Sequence, residues 1–69
     1  MLKERPAVFE DDHPFMFLHQ EHAEEVCAFL TNKHVEFRTL TGPGRTVKFR
    51  FMALSVCEVE LLMMRLVGA

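Results

Sequence analysis

The side chains of this 69-residue sequence that can ligate a metal, move protons or attack a substrate are four histidines, two cysteines and ten carboxylates. His19 and His22 are three apart, and residues at that spacing share one face of a helix. Asp11, Asp12 and His13 lie just upstream. Imidazole and carboxylate together are the ligand types of zinc sites, but the spacing matches no zinc motif such as His-Glu-x-x-His. The sequence therefore predicts no bound metal. It leaves His13, His19 and His22 as the residues of ligand type, with His19 expected to cap a helix and His22 to face solvent.

Cys27 and Cys57 fall inside apolar helical patterns, where cysteine behaves as a small hydrophobe. Both are expected to be reduced and buried. A cysteine nucleophile needs exposure and an activating base. Ser55 is accounted for as a helix cap, and Tyr and Trp are absent. With no poised nucleophile and no acid–base pair, the chain is expected not to be an enzyme and to carry no cofactor.

The clearest chemical grouping is cationic. Arg38, Lys48 and Arg50 share one face of two alternating strands, and Arg45 lies in the loop between them. The net charge is only −2, with a pI near 6.0. The distribution is uneven: residues 1–25 hold seven acids against two bases, and residues 33–50 hold five bases against Glu36 alone. RNA-binding sheets add exposed aromatics that stack bases. Here Phe37, Phe49 and Phe51 fall on the opposite face from the cations, and strand Thr46–Phe51 lacks the Gly–aromatic spacing of RNA-recognition motifs. Charge without stacking gives non-specific affinity only. Another protein is the expected partner of a small regulatory module, with nucleic-acid binding through this basic hairpin face, or a small-ligand or metal-sensing role for the histidine region, as the alternatives. The loop Thr41-Gly42-Pro43-Gly44-Arg45 lacks the spacing and lysine of a phosphate-binding loop and reads as a hairpin connection.

These residues need elements to hold them. Ala7–Glu10 is a short strand, Asp11–Pro14 a turn, and Phe15–Leu18 a second strand. Its unbroken apolar character predicts a central position covered on both sides. His19–Lys33 is a helix, with Ala23, Val26, Cys27 and Leu30 on one buried face and Asn32 near its stop. Val35–Leu40 and Thr46–Phe51 alternate. Pairing them around a five-residue loop sets Val35 opposite Phe51, Phe37 opposite Phe49 and Glu36 opposite Arg50. The last helix starts at Ser55, where Ser55-Val56-Cys57-Glu58 fits a capping box, and ends at Gly68.

The order ββαββα predicts one α+β domain over residues 1–69: a four-stranded antiparallel sheet with two helices on one face. A right-handed crossover between Phe15–Leu18 and Val35–Leu40, with Thr46–Phe51 inserted between them, is the split β-α-β unit of ferredoxin-like folds. The N-terminal strand would replace the usual final one. A chain this short buries roughly 60% of its unfolded surface, the thin end of what folds alone. The last helix carries two apolar stripes, Val56, Val59, Leu62, Met63 and Leu66 on one side and Cys57, Leu61 and Met64 on the other. One sheet face cannot cover both, so the second stripe is expected to form a homodimer interface. No stretch is long and apolar enough to cross a membrane and no signal peptide precedes the strands, so a cytoplasmic location is expected.

Overall fold

Six elements alternate along the computed structural model, which describes residues 5–67. They are β1 (Val8–Glu10), β2 (Pro14–His19), α1 (Gln20–Asn32), β3 (Phe37–Thr41), β4 (Thr46–Phe51) and α2 (Val56–Leu66). The sheet order is β1-β2-β4-β3, with every neighbouring pair antiparallel. β2 and β3 therefore run parallel to one another with β4 between them and α1 as the link. β1 hairpins onto β2 and closes the far edge. This is the split β-α-β arrangement expected from the element order.

One buried layer holds the fold together. Met16 and Leu18 of β2 and Phe49 and Phe51 of β4 supply the sheet side. Ala23, Val26 and Leu30 of α1 and Val59, Met63 and Leu66 of α2 supply the helix side. Both helices thus lie on one face of the sheet. Phe49 and Phe51 are fully buried, and removing one such ring costs about 3–5 kcal/mol. A 69-residue domain has only about 3–10 kcal/mol of stability in all, so either ring is close to indispensable.

Two expectations change. The first is that β2 is covered on both sides. Burial along it alternates instead: Pro14, Met16 and Leu18 are buried, whereas Phe15 and Phe17 are only half-buried. Both helices are used on the other face, so no element among the described residues remains to cover these two rings.

The second change is the hairpin register, which differs by two residues. Phe37 faces Phe51, Arg38 faces Arg50 and Thr39 faces Phe49. The turn accounts for the shift. The Gly42 N–H donates to the Thr46 carbonyl at 3.0 Å and the Thr46 N–H to the Pro43 carbonyl at 3.3 Å. The strands therefore pair up to Gly42 and Thr46, and the loop shortens to Pro43-Gly44-Arg45. Gly44 sits at φ 61°, a conformation glycine adopts without a Cβ penalty. A Cβ on Gly42 would run into Thr46 Oγ1. A slip of two residues preserves which side chains share a face. The expected faces survive while the expected partners do not: Arg38, not Glu36, stands opposite Arg50.

The helix ends are explicit in their hydrogen bonds. The Glu58 N–H donates to Ser55 Oγ at 3.3 Å, and the Ser55 N–H donates to Glu58 Oε1 at 3.0 Å, completing the capping box. The expected stop at Gly68 lies outside the described residues. α1 ends at Asn32, as expected, and the bonds beyond it show how. The His34 N–H reaches the Thr31 carbonyl and the Val35 N–H reaches the Leu30 carbonyl, both at 3.0 Å. That is a Schellman motif, with His34 at φ 58° in the position glycine usually takes. His34→Gly should relieve the left-handed strain and raise stability by up to about 1 kcal/mol. Ser55→Ala should lower it by about 1 kcal/mol. Urea denaturation midpoints measure both.

Candidate recognition surface on the open sheet face

Strand pairing arranges the uncovered side chains in rows. Phe9 lies opposite Phe15, Phe15 opposite Arg50, and Arg50 opposite Arg38. This row crosses all four strands. The next row sets Phe17 beside Lys48 and Lys48 beside Leu40. The aromatics thus occupy the β1–β2 half of the face and the cations the β4–β3 half.

The rings form one cluster. Phe9 and Phe15 stack with centroids 5.6 Å apart, and Phe15 and Phe17 meet edge to face at 5.8 Å. Phe9 is 49% exposed, high for a side chain of its size. Lys48 Nζ sits over the Phe15 ring at 4.3 Å from its centroid, a cation–π contact that joins the two halves.

The charge on this face is poorly balanced. Like charges directly opposite across strands are destabilising, and Arg38 faces Arg50. Asp11, in the β1–β2 turn, offers partial relief through an ion pair with Arg50 at 3.4 Å. The backbone N–H of His13, 3.0 Å from Asp11 Oδ1, holds this carboxyl below its ordinary pKa, and Arg50 adds to the effect. The pair is therefore intact above the usual carboxylate range and is lost only as pH falls through the depressed value. Arg45 sits at the tip of the β3–β4 hairpin. Its carbonyl accepts from the Gln20 N–H at 2.8 Å, tying the loop to the start of α1.

Sequence reasoning put Arg38, Lys48 and Arg50 on one sheet face with Arg45 in the loop, but it paired Arg38 with Lys48 rather than Arg50 and missed Phe9, Phe15 and Phe17. The signal was the parity of β2. Phe15 and Phe17 are two apart, so they share a face, and two helices cover one sheet face only.

The histidines do not converge. His13 directly precedes β2 and His19 is its sixth and last residue, a separation of about 20 Å at strand rise. His19 Nδ1 accepts from the Glu21 N–H at 3.3 Å as the N-cap of α1. His22 Nε2 lies 3.7 Å from Glu21 Oε1. Among the described residues, no three His, Cys, Asp or Glu side chains are grouped to hold a metal ion. No helix is long and apolar enough to cross a membrane.

α2 separates its stripes. Val59, Met63 and Leu66 are buried, whereas Leu61 is 63% and Met64 56% exposed. Cys57 is exposed rather than buried, since it lies with Leu61 and Met64 on the side of α2 turned away from the sheet. Cys27 is half-buried against the core, and desolvation, reinforced by Glu24, raises its thiol pKa. Both thiols are free. Iodoacetamide at pH 8 should therefore modify Cys57 well before Cys27, as read by peptide mass spectrometry. Equal rates would contradict the placement of α2.

No protein-family model, no curated protein and no solved structure matches the chain.

Proposed function

We propose that this chain is a small non-enzymatic binding module that takes an anionic partner on the open face of its sheet and works as a homodimer joined through α2. One observation carries the reading: Phe9, Phe15, Phe17, Arg38, Lys48 and Arg50 share the single sheet face that neither helix covers. Contiguous exposed apolar groups are the usual mark of an interface. Arg38, Lys48 and Arg50 outnumber Asp11, in the β1–β2 turn, and Glu36, whose parity puts it on the same face, and so favour a negative partner. Two copies of this face pressed together would set arginine against arginine, so a second copy belongs elsewhere.

The outer side of α2 is the better place for it. Cys57, Leu61 and Met64 line up there beside a hollow of about 330 Å³ with Val35, Leu54 and Leu62 in its wall. Lys33, Glu58 and Arg65 form its charged rim. An antiparallel two-fold pairing centred on Leu61 brings Glu58, near the start of one helix, close to Arg65, near the end of the other. Such a surface is self-complementary. It also leaves both recognition faces pointing outward.

Native mass spectrometry of the untagged protein tests the assembly. The expected species is a dimer, and Leu61→Glu should convert it to a monomer with unchanged far-ultraviolet circular dichroism. A wild-type protein that is monomeric at tens of micromolar would remove the homodimer from this reading.

A further inference from the structure

We infer that the anionic partner of the open sheet face is a single-stranded nucleic acid, an inference that rests on the face being the recognition surface. Three features of the face converge on this chemistry. The first is the ring cluster. Phe9 presents an exposed ring stacked on Phe15, with Phe17 at its edge. Unpaired bases offer flat faces that stack on such rings whatever their sequence. An acidic peptide has carboxylates for the cations but no flat groups for the phenyl rings.

The second feature is the order within a row. Phe9, Phe15, Arg50 and Arg38 follow one another across four neighbouring strands, a span of about 14 Å at ordinary strand spacing. A chain laid across the sheet can stack bases over β1 and β2 while its phosphates run over β4 and β3. Two or three nucleotides fill that span, as on other RNA-binding sheets. The third is the repulsion between Arg38 and Arg50, which Asp11 relieves only in part. A phosphate between the two guanidinium groups would accept from both, whereas Asp11 reaches only Arg50.

The flatness of the face also decides between single and double strands. Duplex recognition uses a helix or ribbon that enters a groove, and among the described residues no element projects from this side of the sheet. In a duplex the bases are already stacked on each other and unavailable to Phe9.

The test is fluorescence anisotropy of the full-length protein with fluorescein-labelled U12 and dT12, a 12-base-pair duplex and a glutamate decapeptide. Binding to at least one single strand is expected, at least tenfold tighter than to the duplex or the peptide. The logarithm of the affinity should fall with the logarithm of salt at a slope of about −2, as for three phosphate contacts on a single strand. Phe9→Leu keeps an apolar side chain at an exposed site and should weaken binding about tenfold. Arg38→Ala should weaken it and reduce the salt slope by about 0.7. Asp11→Asn frees Arg50 and should tighten binding about threefold. Thermal melts of each variant check that the fold is kept.

Two results overturn the inference in distinguishable ways. If the glutamate peptide binds as tightly as the oligonucleotides, with Arg38→Ala weakening it and Phe9→Leu not, the face recognises anions by charge alone. The nucleic-acid inference then falls and the recognition surface stands. If no anionic probe binds at millimolar protein, both fall together.

Discussion

The contact on which the rest of this molecule depends is the one between Met16, Leu18, Phe49 and Phe51 and the apolar stripes of two helices. It joins the two central strands to α1 and α2 in a single buried layer. A chain of this length has material for one such layer and no more. Once both helices are committed to it, the other sheet face is open by construction. Any apolar residue of opposite parity on β2 must then face outward, and Phe15 and Phe17 do. The proposed recognition surface is thus a consequence of how the core is closed rather than a later addition to it.

The same constraint gives the surface its rigidity. Its side chains stand on paired strands whose inner faces are locked in the core, so the rows they form are set before any partner arrives. Phe15 and Arg50 cannot drift relative to one another without breaking the β2–β4 ladder. The hairpin that carries Arg45 is held at its tip by the Gln20 N–H. A preorganised face loses little conformational entropy on binding. The unfavourable part of its design is electrostatic, with Arg38 directly across from Arg50. Asp11 offsets that repulsion only in part.

Much of this was legible in the residues, and the failures share one origin. The capping box at Ser55, the buried face of α1 and the insertion of β4 between β2 and β3 all follow from local spacing and from the element order. The partners across the β3–β4 hairpin do not, because turn geometry decides them. Gly42 and Gly44 permit a three-residue loop where five residues of loop composition are present. A period of two then hid the error, since the faces came out the same. The stop of α1 at Asn32 was legible, but the left-handed backbone of His34 was not, because a left-handed histidine has no distinctive sequence signal. The aromatic half of the site was missed for a related reason. An apolar run reads as covered on both sides until the helices are counted against the faces they have to cover.

The measurement that tests this account most directly is a map of amide and aromatic chemical-shift changes in the isotope-labelled protein as U12 is added. The account predicts changes concentrated at Phe9, Phe15, Phe17, Arg38, Lys48 and Arg50, with Val26 and Val59 in the helices little affected. Changes that cluster on α2 around Leu61 and Met64, or an unchanged spectrum at saturating oligonucleotide, would contradict it.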